Sequence, residues 1–319
     1  MESEEVVARG DAIVAEVEKA IIGKRRLLRR VLAVVLAGGH VLLEDYPGLG
    51  KTLLASSFAR ALGLDFRRIQ FTPDLLPGDI TGGFVLNRAS GTFELRRGPI
   101  FANIVLADEI NRASPKTQAA LLEAMQEYQV TLEGETMALV RPFVVLATQN
   151  PIEFEGVFPL PEAQLDRFMV KLSVGYPSAA EEQEILRRRG QRMQDEVAVA
   201  QVVEVGQLRQ MQEFVEQVYV EPDVEKYIVA LVTGTRADNR VAVGASPRGS
   251  LALMKLARAW AALDGRDFVL PDDVKTLARP VLAHRLVLQP DFWMKRQAAE
   301  DVVTSVVERV PVPVIGSRV

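Results

Sequence analysis

Apolar residues recur at helical spacing through residues 6–37, first in VVARGDAIVAEVEKAIIG and then in RRLLRRVLAVVLAGG. This stretch predicts helices with one buried face. The pattern then changes. HVLLE is a short, unbroken apolar run of the kind a buried strand carries, and TLLASSFARALG returns to helical spacing before stopping at Gly63. FRRIQF reads as a second strand. Strand, glycine-bearing loop, helix and strand in succession make a βαβ unit, which requires a parallel sheet covered on both faces.

The alternation breaks at residues 72–99. TPDLLPGDITGG is rich in Pro and Gly, and FVLNRASGTFELRRG reads as two short strands around ASG. The sheet pattern resumes with the buried strand ANIVLADE, the helix PKTQAALLEAMQEYQ with Pro115 near its start, and VTLEGETMALV, a hairpin turning at Glu133–Gly134. FVVLATQN predicts a further buried strand, LPEAQLDRF a short helix, and MVKLSV a last strand before GYPS. SAAEEQEILRRRG opens a helical stretch, and from about residue 205 the periodicity is almost entirely helical. The shift places a boundary near residues 177–205.

Composition narrows the class without changing the fold. The chain has 319 residues, enough for one large domain or two ordinary ones; 48% are hydrophobic and 25% charged, as in globular proteins. A net charge of −4 makes nucleic acid an unlikely partner. With no cysteine, disulfides and thiolate metal sites are excluded, and two histidines leave little for a His-rich metal site. MESEEVVARG is acidic and lacks the apolar run of a signal peptide, and no apolar stretch is long enough to span a bilayer. The expected location is cytoplasmic.

The candidate chemistry sits at the ends of the strands. EDYPGLGKT follows the first strand and opens a helix. Its last residues fit a phosphate-binding loop, in which backbone N–H groups and a helix N-terminus converge on phosphate oxygens. The usual pattern begins with glycine, where this chain has Asp45. Gly48 and Gly50 let backbone approach the phosphates, Lys51 would reach the terminal ones, and the Thr52 hydroxyl would ligate Mg2+. Read alone, the stretch could equally be a glycine-rich turn. IVLADE ends in Asp108 and Glu109, a metal-holding carboxylate and a water-polarising one, or two solvated carboxylates. VVLATQN ends in Thr148, Gln149 and Asn150, a candidate to hold the water or the γ-phosphate, or a strand-end cap. LDRF sets Arg167 beside Asp166, a pattern also found in surface ion pairs. SPRGS puts Arg248 in the first turn of a helix, where the dipole disfavours a cation and an external anion would favour it.

Four blocks, HVLLEDYPGLGKT, LADEINRASPKTQAALLEAMQE, LATQNPIEFEGVFPLPEAQLDRF and GASPRGSLALMKLARAWA, together resemble the MoxR family of AAA+ ATPases, over roughly residues 20–290. The resemblance implies an α/β fold: a RecA-like core whose parallel five-stranded sheet has the order 5-1-4-3-2, then an all-α lid, with domains at 1–204 and 205–319. Residues 72–99 match its helix-2 insert and VTLEGETMALV its pre-sensor hairpin. The implied cofactors are ATP and Mg2+. Pro47, Gly48, Leu49, Gly50, Lys51, Thr52 and Leu53 would bind nucleotide, and Ile22 and Gly23 would lie beside the adenine. Thr52 and Asp108 would hold the metal, and Glu109 would be catalytic. Asn150 matches sensor 1, Arg167 the arginine finger and Arg248 sensor 2; Arg112 is a candidate to reach a neighbouring subunit. The implied function is a chaperone-like ATPase that remodels, matures or activates protein complexes. Its implied partners are a hexameric ring of its own copies, a protein with a von Willebrand factor A domain and a client complex. A magnesium-chelatase-like motor subunit and a DNA-acting AAA+ motor are the alternatives.

Overall fold

The computed structural model describes residues 1–151, 156–292 and 297–313. Residues 152–155 of the third sequence block and 314–319 of the second expected domain lie outside the described residues. The chain opens with α1 (Ser3–Val17) and α2 (Arg25–Leu36). There follow β1 (Val41–Glu44), α3 (Lys51–Ala61), β2 (Phe66–Gln70) and the short α4 (Pro77–Thr81). β3 (Gly82–Asn87) and β4 (Thr92–Arg97) form an antiparallel hairpin. Next come β5 (Ile104–Asp108) and α5 (Pro115–Glu127), then the hairpin of β6 (Gln129–Leu132) and β7 (Glu135–Ala138). Glu133 and Gly134 turn this hairpin with positive φ at both positions, 49° and 86°. β8 (Val144–Gln149), α6 (Glu162–Leu165) and β9 (Val170–Leu172) complete the α/β part.

The five-stranded sheet runs β2-β5-β8-β1-β9, and every pairing is parallel. Numbered among themselves in chain order, these strands read 5-1-4-3-2 from the β9 edge, as the resemblance implies. β5 is buried at every position, whereas the edge strand β2 exposes Arg67, Arg68 and Gln70. Because successive side chains alternate faces, the central strands feed two apolar cores. Leu42, Val105, Ala107, Val145 and Ala147 pack with α5, while Val41, Leu43, Leu106 and Leu146 pack with α1, α2 and α3.

The second of these cores continues into the C-terminal helices. After α7 (Ala179–Arg192) come α8 (Val205–Gln217), α9 (Pro222–Arg236), β10 (Val241–Val243), α10 (Pro247–Leu263) and α11 (Pro271–Leu282). β11 (Val287–Leu288) and α12 (Ala298–Arg309) follow. β10 and β11 pair antiparallel, a small feature that helical periodicity does not reveal. α1 meets α10 at Gly10, where an added Cβ would lie 2.5 Å from Leu263 Cδ2, so only glycine permits this approach without repacking. A polar clamp ties the start of α10 and the segment after α11 to the residues just before β9. Asp166 accepts from Ser246 Oγ at 2.9 Å and pairs with the buried guanidinium of Arg285, whose Nη2 also donates to Phe168 O at 2.8 Å. Asp166 therefore pairs with Arg285 and not with its neighbour Arg167, and the two residues lie just beyond α6, not on it.

Candidate active site

The loop between β1 and α3 turns on two glycines. Gly48 and Gly50 have φ of 81° and 76°, and Gly50 is the N-cap of α3. A side chain at either would be strained. Lys51 opens the helix and donates to Asp45 O at 3.0 Å. Asp45 itself is 4% exposed. Its Oδ1 accepts from Ser173 Oγ at 2.8 Å and Gly175 N at 3.1 Å, and its Oδ2 accepts from Val174 N. The residue that departs from the usual loop pattern thus fastens the start of the loop to the segment leaving β9.

Every residue from Pro47 to Leu53 lines a cavity of about 400 Å3, together with Arg68, Asp108, Glu109 and Asn150. The parallel register explains the convergence: β1, β5 and β8 all deliver their C-terminal residues to this edge of the sheet. Asp108 Oδ1 accepts from Thr148 Oγ1 at 2.7 Å, and the same hydroxyl accepts from Glu109 N at 2.8 Å. Glu109 has φ 56°, so the chain turns sharply after Asp108. Asp108 Oδ2 takes two bonds from Arg68, Nη2 at 2.6 Å and Nε at 3.1 Å. Glu109 Oε2 accepts from Gln70 Nε2 at 2.8 Å and Arg112 Nη1 at 3.0 Å. Arg112 therefore meets the carboxylate three residues before it in its own chain.

Arg68, Gln70 and the bridging role of Thr148 were not apparent from the sequence as site features. A signal existed for the first two: in FRRIQF they share one face of the strand at spacing two, and Gln70 pairs in register with Asp108.

Among the described residues, no group of three or more His, Asp or Glu could hold a metal alone. Mg2+ beside a phosphate loop commonly takes one or two protein ligands and completes its shell with phosphates and water. The buried Asp108 carboxylate, oriented by Thr148 and sharing its cavity with Thr52, has the donor chemistry for it.

Ile22 and Gly23 stand in the turn between α1 and α2 and do not line this cavity. The turn does back onto the loop: a Cβ on Gly50 would lie 3.7 Å from Ile21 Cδ1. Tyr46 stacks on Tyr176 with ring centroids 5.7 Å apart.

Arg167 and Arg248 lie elsewhere. Both line a separate cavity with Gly38, Gly39 and His40, which precede β1, whereas the phosphate loop follows it. The strand's four residues separate the two ends by roughly 13 Å at about 3.3 Å per residue. Arg167 donates to Leu122 O, while its Nε is sealed from solvent with no hydrogen-bond partner among the described residues. Burial, and then the nearby Arg248 cation, hold its pKa below the ordinary guanidinium value, with Glu123 and Glu127 opposing the shift. Arg248 Nη2 donates to Gln126 Oε1 at 3.3 Å.

Sheet order and the loop after β1 define the class: a P-loop ATPase core of the AAA+ type followed by helices. The profile of the ATPase family associated with various cellular activities (AAA) matches residues 40–170, and that of the AAA lid domain matches residues 233–306. The protein YeaC of Bacillus subtilis is 49% identical over 306 residues, covering 96% of this chain and 95% of YeaC. Chaperone MoxR1 of Mycobacterium tuberculosis is 44% identical over 311 residues, covering 95% of this chain and 82% of MoxR1. A solved structure of an ATPase candidate from Cytophaga hutchinsonii superposes with a TM-score of 0.91 at 39% identity, covering 98% of this chain and 97% of that one. The chain belongs to the MoxR family of AAA+ ATPases. It is a nucleotide-binding enzyme that hydrolyses ATP. Among the described residues no helix is long and apolar enough to cross a membrane.

Proposed function

We propose that the chain is one subunit of a hexameric, chaperone-like ring that spends ATP to remodel, mature or activate partner protein complexes. Residues 1–204 serve as its core and 205–319 as its lid. In each subunit Lys51 and the backbone from Pro47 to Leu53 hold the phosphates, and the turn at Ile22 and Gly23 borders the adenine. Thr52 and Asp108 would hold Mg2+, which when bound neutralises charge on the transferring phosphoryl group. Glu109 orients the attacking water and accepts its proton as the bond to the leaving ADP breaks. Asn150 helps position that water.

The observation that carries this reading is the position of Arg167 and Arg248. They share one cavity at the end of the sheet opposite the phosphate loop. An arginine finger and a sensor there serve a neighbour's nucleotide, so the active site is completed only between subunits. The β3–β4 hairpin supports a protein-facing role, since it exposes Val85, Leu86 and, at 69%, Phe93. The assigned partners are a protein bearing a von Willebrand factor A domain and the client complex.

Sedimentation velocity with and without a slowly hydrolysed ATP analogue tests the ring. Nucleotide should shift the protein towards hexamers. A strict monomer at high concentration under both conditions would refute the reading.

A further inference from the structure

A third cavity, of about 580 Å3, opens between α2, the end of β9, α11 and α12. It shares no lining residue with the phosphate-loop cavity. Its volume falls within the ~300–1,000 Å3 typical of small-molecule sites. Its charge is one-sided. Arg26, Arg30, Lys171, Lys275 and Arg279 line it, with Glu300 the one acid among the lining residues.

Three of the cations have partners: Lys171 pairs with Glu44 at 3.0 Å, Lys275 with Asp272 at 3.0 Å, and Arg279 with Glu300. Arg26 and Arg30 have no carboxylate partner among the described residues. They stand four residues apart on α2, on one face, where like charges repel. Arg30 Nε is sealed from solvent and has no hydrogen-bond partner among the described residues. Burial first, then the Arg26 and Arg279 cations, hold its pKa below the ordinary guanidinium value. Gathering cations this way costs the fold stability unless an anion offsets it. Leu27, Leu172, Val303 and Val307 complete an apolar wall, and Thr276 and Thr304 add hydroxyls.

We propose that this cavity binds a small phosphorylated polyanion, with Arg26, Arg30 and Arg279 taking its phosphates. The guanidinium fork matches phosphate oxygens two at a time. Two of these arginines come from α2 and the third from α11, so an occupant joins the sheet-bearing part of the chain to the C-terminal helices. Ser173 lines the cavity and donates to Asp45, which places the site one hydrogen bond from the start of the phosphate loop.

Calorimetric titration of the full chain with inorganic pyrophosphate tests it, using Lys51→Ala to silence the phosphate loop. Lys51→Ala should retain one pyrophosphate site. Adding Arg26→Gln and Arg30→Gln should weaken that site by about tenfold per arginine, the loss expected of a charged hydrogen bond. Parallel titrations of Lys51→Ala with ATP and with tripolyphosphate separate the two sources of phosphate: binding of both marks a nucleotide-tolerant site, and binding of tripolyphosphate alone an inorganic one. Without anion, the arginine substitutions should leave the thermal midpoint unchanged or raise it. Should the double substitution unfold the protein, Arg26→Gln alone, at an exposed position, carries the test with about a tenfold loss. No pyrophosphate site in Lys51→Ala, or one indifferent to Arg26→Gln, overturns the proposal. So does intact binding with weakened self-assembly, which would make the cavity a contact between subunits.

Discussion

Replacing Asp45 by glycine restores the usual first residue of a phosphate-binding loop, yet the structure predicts that it damages this protein. The carboxylate is 4% exposed and accepts from Ser173 Oγ, Val174 N and Gly175 N. Hydrogen bonds to a charged acceptor contribute about 1.5–3 kcal/mol each, and a buried donor left unpaired costs about 1–3 kcal/mol. Val174 N is buried, whereas Ser173 is exposed and can rotate and Gly175 is partly exposed to water. Counting Val174 in full and the others in part gives a loss of about 3–5 kcal/mol for Asp45→Gly. Asp45→Asn keeps the shape but turns an N–H2 group towards a donor, for about 1.5–3 kcal/mol. At about 2–4 °C per kcal/mol, the glycine variant should melt about 6–20 °C below the parent. Thermal unfolding followed by circular dichroism measures this, and fluorescent-ATP titration should show weaker binding, because the loop loses its anchor to the segment after β9. A glycine variant that melts within about 1 °C of the parent would refute the reasoning.

Glu109→Gln should bind ATP near parental affinity but turn over about 10²–10⁴-fold more slowly, and steady-state hydrolysis within a few-fold of the parent would remove Glu109 as the base. Thr148→Val deletes the hydroxyl shared by Asp108 Oδ1 and Glu109 N; turnover should fall by about tenfold or more with little change in fold, as one lost buried hydrogen bond implies. Acid should destabilise the protein early. His40 and His284 are buried, and burial pushes their pKa values down to about 4 and about 3. Between those values and the unfolded pKa near 6.5 the unfolded chain binds protons that the folded one does not, so stability is lost as pH falls. By pH 5 the two should together cost about 4 kcal/mol, and denaturant midpoints unchanged between pH 7 and pH 5 would contradict this.

The sheet and its phosphate edge were legible because their signals are local. An apolar run marks each central strand, and the motif residues stand at the strand ends in the chain itself. What escaped is held by distant pairings. Asp45 stands in the sequence only as a departure from the glycine of the pattern, and its purpose depends on residues 173–175, more than a hundred positions later. Arg68 and Gln70 belong to the site only because β2 lies beside β5 in register. Asp166 and Arg167 read as an ion pair when only neighbours in sequence are considered; the buried Arg285, from beyond α11, takes Asp166 instead and leaves Arg167 to face Arg248. The cation in the first turn of α10 singles out Arg248 in the sequence. It could not tell which end of the sheet that helix would meet.

A shared active site is the central claim, and subunit mixing tests it most directly. Arg167→Ala subunits keep Glu109 but lend no finger; Glu109→Gln subunits lend the finger but lack the base. An arginine supplied in this way is worth about 10³–10⁵ in rate, so each variant alone should be nearly inactive. Mixed rings contain interfaces where an intact Glu109 meets an intact Arg167. With exchange verified by fluorescence labelling, the mixture should recover part of the parental ATPase rate; a mixture that exchanges subunits yet stays as inactive as its components would contradict the account.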